Sequence, residues 1–444
     1  MINESIFRAY DVRGLYPEEI NEETAYLIGR AYAQRVKPKK VVIGQDLRES
    51  SANLKAKVIE ALLDEGVEVY DAGKMTNDMI SFANFNYGYD GSIILSASHN
   101  PIGYGGIKMA KAEAITVPGD DPKIKEAVLK NQFGNKKSGG SIKKIDIMND
   151  YIRYVKEFIN IKNLQKKRIL FDPLYGSVSL VLDKLLEDLP VERINLHTKA
   201  DINFGGLSEP NPSNREIRQE TEEMAIKEKP DFSVIWDGDG DRCFFLDENA
   251  EFVPAPYITS SLVEYILKHK PGAKIVSDVR ILWPIEKATE DNGGKFVISK
   301  SGYRFIKEKM VETDAEFGAE MTAHYFFKDN KCADNGIIPF LMIWALLSEK
   351  NCTLSDLVKS YRQDHFMIDE MKFKVDNAKT VLNKVAKSFR EYEQNDLDGI
   401  TIEAPKFRIN LRGSNTEPVI KLNMEAKSQE ILSRQEEELL GLIK

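Results

Sequence analysis

The stretch Gly91-Ser92-Ile93-Ile94-Leu95-Ser96-Ala97-Ser98-His99-Asn100-Pro101 joins an apolar run to a polar turn. Its first five residues read as a buried strand, and Gly103, Gly105, Gly106 and Lys108 follow the turn. Upstream, Val67–Tyr70 and Lys40–Gly44 read as further strands, and Ser51–Glu65 and Asn21–Val36 as helices. Asn21 is placed to cap the earlier helix, whose Ile28, Ala31, Tyr32 and Val36 fall close to one face. Strand and helix in alternation predict an α/β layer architecture.

Downstream, the polar stretch Asn131–Gly140 breaks the pattern. A short strand, Ile142–Ile147, and a helix, Asn149–Ile159, follow, and alternation restarts at Arg168–Phe171. Strand-like Asp231–Trp236 and Cys243–Leu246 flank a Gly/Asp turn, and Pro254 and Pro256 precede a helix from Ile258 to Lys268. From about residue 366 the texture changes: Lys372–Val375, Phe407–Leu411 and Val419–Met424 read as strands of a smaller α+β unit. The expected domains are therefore 1–150, 151–250, 251–366 and 367–444, which suits the 444-residue length.

Composition narrows the class. Hydrophobic residues make up 42% and charged residues 30%, enough for packed cores and against wholesale disorder. The formal charge is 62 − 70 = −8, so nonspecific grip on a nucleic acid is not expected, and any bound anion needs a local cluster of donors. The N-terminus has no targeting pattern, and the longest apolar run, Phe340–Leu347, falls short of the roughly 20 residues that span a bilayer. Cys243, Cys332 and Cys352 form no Cys-x-x-Cys pair, which disfavours a zinc cluster or disulfide framework and fits a reducing cytoplasm. The expectation is a cytoplasmic protein without nucleic-acid or membrane partners.

Four loops have chemistry-bearing residues. Ser98, on a turn after a buried strand, is placed as a nucleophile, with glycines that let backbone amides approach an anion. Neither a Gly-x-Ser-x-Gly elbow nor a Walker loop is present. Asp237-Gly238-Asp239-Gly240-Asp241-Arg242 puts carboxylates at alternate positions, which suits one hard cation such as Mg²⁺ or Ca²⁺. Glu248 stands where an EF-hand would end, but Arg242 occupies the position that needs glycine and the flanks are strand-like. Gly318-Ala319-Glu320-Met321-Thr322-Ala323-His324 offers groups suited to sugar hydroxyls, and His324 is a residue type that can move protons near neutral pH. Arg412-Gly413-Ser414-Asn415-Thr416-Glu417-Pro418 reads equally well as a phosphate cradle or an ordinary hairpin loop. Together the loops have the parts that phosphoryl transfer needs.

Over its whole length the chain resembles the α-D-phosphohexomutase family, in its phosphomannomutase/phosphoglucomutase branch. The resemblance rests on the opening Phe7-Arg8-Ala9-Tyr10-Asp11-Val12-Arg13-Gly14 and on the four loops in the family's order. It implies three similar α/β domains and a smaller C-terminal α+β domain resembling the TATA-binding-protein fold, around a central cleft. By the same resemblance Ser98 is the phosphoserine and, through its phosphate, a metal ligand beside Asp237, Asp239 and Asp241, which match Mg²⁺ ligands. His99 orients the serine. Tyr10, Arg13, Lys108 and Arg242 line the reaction site, and Lys108 and His324 are candidates for proton transfer. Glu320 and Thr322 grip the sugar, Gly302 and Tyr303 stand at a further substrate contact, and Arg412, Ser414, Asn415 and Thr416 hold the phosphate that is not reacting. The implied activity interconverts hexose 1-phosphate and hexose 6-phosphate, of mannose and/or glucose, through a hexose 1,6-bisphosphate. Glucose 1,6-bisphosphate is the implied activator, and the chain is expected to be a monomer or weak dimer.

The chain departs from the family pattern at several positions. Thr322 stands where Ser is usual, Ala319 and Ala323 replace glycines, Ser301-Gly302-Tyr303 replaces a frequent Thr-Gly-His, and Ser96 also occurs in phosphoglucosamine mutases. Phosphoglucosamine mutase is the alternative activity, and a non-catalytic sugar-bisphosphate sensor a more distant one. His197, His269 and His365 match no loop of the family and read as ordinary polar residues.

Overall fold

The computed structural model describes residues 2–413 and 419–443. The chain forms two compact units, Met1–Val253 with Asp329–Thr353, and Pro254–Lys328 with Leu354–Lys444.

The first unit holds two sheets. One comprises β1 (Val12–Leu15), β2 (Lys40–Gln45), β3 (Glu68–Lys74), β4 (Gly91–Leu95), β5 (Tyr104–Lys111), β6 (Ile115–Val117) and β7 (Ser141–Lys144), in the order β1-β5-β4-β2-β3-β7, with β6 paired to β5. β2, β3, β4 and β7 run parallel, and β5 returns antiparallel to β4. Every residue of β4 is buried, which is why that segment reads as a continuous apolar run rather than an alternating one. Asn21 caps the helix Glu22–Val36 by accepting from the Thr24 amide.

The other sheet runs β12-β11-β10-β8-β9, from β8 (Lys167–Asp172), β9 (Val191–Asn195), β10 (Phe232–Trp236), β11 (Cys243–Leu246) and β12 (Phe252–Val253). β8 is parallel to β9 and β10, whereas β10 and β11 form a hairpin closed by the pair Trp236 and Cys243. Residues 237–242 are the tip of that hairpin. The apolar run Phe340–Leu347 lies in the helix Ile337–Lys350, which is a core helix of this unit: the Phe340 ring sits 5.7 Å from those of Phe171 and Trp236. Among the described residues no single helix is long and apolar enough to cross a membrane.

In the second unit, β13 (Lys274–Asp278), β14 (Lys295–Ser299), β15 (Phe317–Ala319) and β16 (Tyr325–Phe327) lie in the order β14-β13-β15-β16, with β16 alone antiparallel. The chain then returns to the first unit as β17 (Ala333–Asp334) and the helix Ile337–Lys350. The C-terminal sheet is antiparallel throughout: β18 (Phe366–Lys374), β19 (Glu393–Asn395), β20 (Ile400–Glu403), β21 (Phe407–Gly413) and β22 (Val419–Ala426), in the order β18-β22-β21-β20-β19.

Alternation divides the faces of the C-terminal sheet. Ile409, Leu411, Ile420, Leu422 and Met424 pack with Val385, Leu432 and Leu439 of two helices, Ala378–Ser388 and Gln429–Ile443. The other face carries Arg408, Asn410 and Arg412 opposite Glu425, Asn423 and Lys421. Buried charge there has to be paired. Glu425 accepts from the amides of Leu282 and Trp283 at 2.9 Å each, where the helix Trp283–Asp291 begins. Arg408 donates to the Arg280 carbonyl at 3.0 Å and to Glu403 at 2.6 Å.

His365, just ahead of β18, is 2% exposed, and both its ring nitrogens lack a hydrogen-bond partner among the described residues. Burial, reinforced by Lys427 and Lys287 against Asp364, pushes its pKa down to about 4. The unfolded chain, with a pKa of about 6.5, binds the proton more readily, so stability is lost as pH falls from about 6.5 towards 4. The pKa gap is worth roughly 3 kcal/mol at its full extent. A His365→Leu variant is expected to show a shallower fall in melting temperature between pH 7 and pH 4.5 than the parent chain. Equal slopes for the two proteins would refute a buried neutral His365.

Candidate active site

Ser98 follows β4 in a left-handed conformation, φ 48°, and is 2% exposed. Such a conformation costs about 1 kcal/mol or more in a residue with a Cβ, so it has to be held from outside. Three side chains hold it. Arg48 donates to the carbonyls of Ser98 (2.8 Å), Asn100 (2.5 Å) and Pro101 (2.7 Å). Arg13 donates to the Asn100 side chain at 2.6 Å and to the Ala97 carbonyl at 3.2 Å, and pairs with Asp11. Ser96 Oγ accepts from the Ser98 amide at 2.9 Å. A Cβ on Gly106 would come within 2.2 Å of the Ser96 carbonyl oxygen, so glycine is required where β5 passes beneath the loop.

The hairpin tip 237–242 meets this loop within the first unit. Ser98 Oγ donates to Asp237 Oδ2 at 2.9 Å and lies 3.2 Å from His99 Nδ1. Ser96 Oγ donates to Asp239 Oδ2 at 2.6 Å. A Cβ on Gly238 would fall 2.8 Å from the Ser98 carbonyl, so the two loops approach as closely as backbones allow. Asn77, the first residue of the helix Asn77–Asn86, braces the tip, its amide donating to the Asp239 carbonyl at 2.8 Å and its side chain to Asp241 at 2.9 Å.

Asp237, Asp239 and Asp241 are all buried and offer carboxylate oxygens within 4.8 Å of one another. Asp239 Oδ1 is a buried acceptor without a partner among the described residues. An all-oxygen donor set with an unfilled acceptor fits a hard divalent cation. Lys108 donates to Asp239 at 2.8 Å and to Asp241 at 2.9 Å. Burial disfavours its charge, but the two aspartates outweigh burial and raise its pKa well above the usual value. Arg13 follows the same pattern, with Asp11 the largest of the opposing contributions. Arg242 Nε lies 3.9 Å from Asp237, and Tyr10 is half-buried ahead of β1.

The second unit carries the other sequence-predicted residues. β15 and β16 form a hairpin with Glu320 and His324 at its tip, where Ala323 has φ 64°. Glu320 accepts from the Gly302 amide at 2.7 Å, from His324 Nδ1 at 3.0 Å and from Arg280 at 3.3 Å. Burial alone would raise its pKa, yet these partners bring it well below the usual carboxylate range. Gly302, φ 121°, precedes the helix Tyr303–Thr313, and Thr322 is half-buried in the turn. Arg412, near the end of β21, pairs with Glu370 and lies 3.6 Å from Asp398. Ser414, Asn415 and Thr416 lie outside the described residues.

Several structural partners escaped the sequence reading: Arg48, Asn77, Asp278 and Arg280. Arg280 forks onto Asp278 at 2.8 and 2.7 Å and reaches Glu320. Arg48 and Arg280 each stand two residues beyond an aspartate that closes a strand or the turn just after it, the placement shared by the loops that were recognised.

Comparison with known proteins bears on the class. Segments 4–135, 149–250 and 256–364 match phosphoglucomutase/phosphomannomutase alpha/beta/alpha domains I, II and III, and 370–442 matches the C-terminal domain of the same proteins. An Escherichia coli phosphomannomutase is 36% identical over 99% of both chains. A Xanthomonas campestris protein described as phosphohexose mutases is 33% identical, again over 99% of both. The crystal structure of a Burkholderia thailandensis phosphoglucomutase/phosphomannomutase family protein superposes with a TM-score of 0.90 at 26% identity, covering 100% of this chain and 98% of that one. The chain belongs to the phosphoglucomutase/phosphomannomutase family, and its four-part α/β architecture is the family's.

Proposed function

We propose that the protein is a phosphohexomutase that interconverts the 1- and 6-phosphates of mannose and/or glucose. The observation that carries this reading is Ser98, held on a left-handed turn with its Oγ 2.9 Å from Asp237 and 3.2 Å from His99. The full-length likeness to proteins named phosphomannomutase and phosphohexose mutases supports it.

Phospho-Ser98 gives its phosphoryl group to the free hydroxyl of a hexose monophosphate: the Ser98 Oγ–P bond breaks as the sugar O–P bond forms. The hexose 1,6-bisphosphate reorients, and its other phosphate returns to Ser98. His99 orients Ser98 Oγ, while Arg13 and Arg48 fix the loop backbone. Lys108 and His324 are the groups for moving the hydroxyl proton. Asp239 and Asp241 hold Lys108 as an ammonium. Glu320, kept ionised, accepts from sugar hydroxyls and fixes the His324 ring through Nδ1, with Thr322 beside it. Gly302 and Tyr303 add a substrate contact, Tyr10 and Arg242 line the reaction site, and Arg412 with Ser414, Asn415 and Thr416 holds the non-reacting phosphate.

Mg²⁺ is the cation we assign to Asp237, Asp239, Asp241 and the Ser98 phosphate. When bound, it supplies positive charge against the negative charge of the transferring group. Glucose 1,6-bisphosphate is the activator, because it can restore phosphate to an empty Ser98. We divide the chain into domains at 1–150, 151–250, 251–366 and 367–444, and the gaps between the family-matched segments support that division.

A coupled assay tests the reading, with mannose 1-phosphate, glucose 1-phosphate and glucosamine 1-phosphate each offered with Mg²⁺ and a trace of glucose 1,6-bisphosphate. Turnover of either or both of the first two is expected. Turnover of glucosamine 1-phosphate alone would replace the reading with phosphoglucosamine mutase, and no turnover of any would leave a sensor.

A further inference from the structure

His197 matches none of the family's loops, yet three segments close around it. It follows β9 with φ 51°, and its side chain is 5% exposed. Nδ1 lies 3.0 Å from Asp172 Oδ1, at the end of β8, and Nε2 lies 2.9 Å from Glu220 Oε2, on the helix Arg215–Glu228. A carboxylate at each ring nitrogen calls for a donor at each, as the imidazolium provides. Burial disfavours that charge, but Asp172 and Glu220 outweigh burial and raise the pKa above the usual value. Asp172 is itself fully buried and also accepts from the Leu174 amide at 2.9 Å and from Thr221 Oγ1 at 2.6 Å.

Two lines of contact lead from His197 to the reaction site, and both start at Tyr175. The Tyr175 amide donates to the His197 carbonyl at 2.9 Å, and the two rings lie 4.5 Å apart, centre to centre. The first line follows the chain. Leu174 and Tyr175 are both left-handed, φ 47° and 59°, and they turn residues 176–178 onto the hairpin tip 237–242. There the Ser177 amide donates to the Gly238 carbonyl at 2.9 Å, and a Cβ on Gly240 would fall 2.5 Å from Val178 Cγ2. Gly238 and Gly240, which space the three aspartates, therefore rest on this turn. The second line crosses to Gly205, where a Cβ would fall 2.2 Å from Tyr175 Cε2. The adjoining Phe204, φ 48° and fully buried, has its ring centre 5.0 Å from Arg48 Cζ, and Arg48 donates to the Ser98 carbonyl.

A left-handed backbone in a residue with a Cβ persists only where the surroundings impose it. Leu174, Tyr175, His197 and Phe204 are four such residues in one contact chain, and the grip of two carboxylates on one imidazole is what the surroundings supply.

We propose that His197 is a positioning residue: through its pair with Asp172 it fixes the turn at residues 173–178 beneath the hairpin tip, and so sets the spacing of Asp237, Asp239 and Asp241 for their cation. The proposal rests on the reading of those three aspartates as the Mg²⁺ site and adds the support that holds them.

The test is calorimetric titration of the full chain with Mg²⁺, a readout apart from turnover. His197→Leu keeps the bulk of the side chain but neither ion pair, and is expected to weaken Mg²⁺ binding about fivefold. His197→Asn puts an amide nitrogen in the place of Nδ1 and tolerates the left-handed backbone, so it should bind Mg²⁺ nearly as the parent does. A merely structural histidine would lower the melting temperature without moving the Mg²⁺ affinity. An equal loss of affinity in the leucine and asparagine variants overturns the proposal. If His197→Leu does not fold, Tyr175→Ala decides, with the same loss expected and unchanged affinity overturning the proposal. Mg²⁺ uptake by the parent with unchanged affinity in the folded His197→Leu variant sinks the proposal alone, whereas a parent chain that takes up no Mg²⁺ sinks the cation reading and the proposal with it.

Discussion

Ser98→Ala is expected to abolish mutase turnover, by at least about 10⁴-fold, because no other side chain can take the nucleophile's place. The geometry argues that this loss is chemical rather than structural. Ser98 Oγ gives up one hydrogen bond to Asp237 and its contact with His99, a cost of about 1 kcal/mol. The backbone supports remain, since Arg48 binds the Ser98 carbonyl and Ser96 Oγ binds the Ser98 amide, and neither depends on the side chain. Alanine is no worse than serine at φ 48°. The variant should therefore melt within a few degrees of the parent and still bind glucose 6-phosphate. A second readout makes the test sharper: incubation with glucose 1,6-bisphosphate should load one phosphoryl group on the parent chain and none on the variant, as seen by intact-protein mass. Turnover in the variant above a few per cent of the parent would place the nucleophile elsewhere. A parent chain that takes up no phosphoryl group and turns nothing over, while binding as tightly as the variant, would favour the sensor.

Inner strands of the two sheets in the first unit were legible where burial on both faces leaves an uninterrupted apolar run, whereas β13 and β15 of the second unit were not read. β4 and β11 begin and end at the residues read from the sequence, Gly91–Leu95 and Cys243–Leu246. Where local chemistry gives no signal, the reading slipped. The helix read as Ser51–Glu65 starts at Glu49, because its cap, Arg48, makes no side-chain cap hydrogen bond and carries none of the usual capping signature. The helix read as Ile258–Lys268 starts three residues earlier, at Ala255, with Pro256 in its first turn. β18 starts at Phe366 rather than Lys372, because the bulge at Asp369 and Glu370 interrupts the alternation that would have revealed it. The strand read as Ile142–Ile147 ends at Lys144, an exposed edge with little apolar content to mark it.

The loops were legible for another reason: alternating Asp and Gly, or Ser-x-Ser-His before Pro, are rare enough to stand out. Their supports were not. Arg48 acts on a loop some fifty residues away, and Asn77 on one more than 160 away. Each is an unremarkable residue type whose role exists only once the fold has brought the segments together. The residues expected to do the chemistry could thus be named from the sequence, while those that hold them in place could not.

Asp239→Asn is expected to remove Mg²⁺-dependent activity, a loss of about 10²-fold or more, while leaving the fold intact. Asp239 is the aspartate on which the local interactions converge. Its Oδ2 takes Ser96 Oγ at 2.6 Å and Lys108 Nζ at 2.8 Å, and its Oδ1 is the acceptor left unfilled. An amide cannot satisfy both sides. With its oxygen towards Ser96 and Lys108, it turns an NH₂ donor into the space assigned to the cation. With its oxygen towards the cation, it sets two donors against the Ser96 hydroxyl and the Lys108 ammonium. Either orientation weakens the metal, and the second also frees Lys108 from one of its two anchors. Ser96 in turn holds the Ser98 amide, so the substitution reaches the nucleophile through a single intervening residue. Thermal melting separates metal loss from unfolding. A ligand that binds only the folded state raises stability with its concentration, so millimolar Mg²⁺ should raise the melting temperature of the parent and not that of the variant. The two proteins should melt alike in the presence of a chelator. A variant that keeps both the Mg²⁺-dependent rise and its turnover would remove Asp239 from the metal set, and with it the reason the three aspartates are gathered beside Ser98.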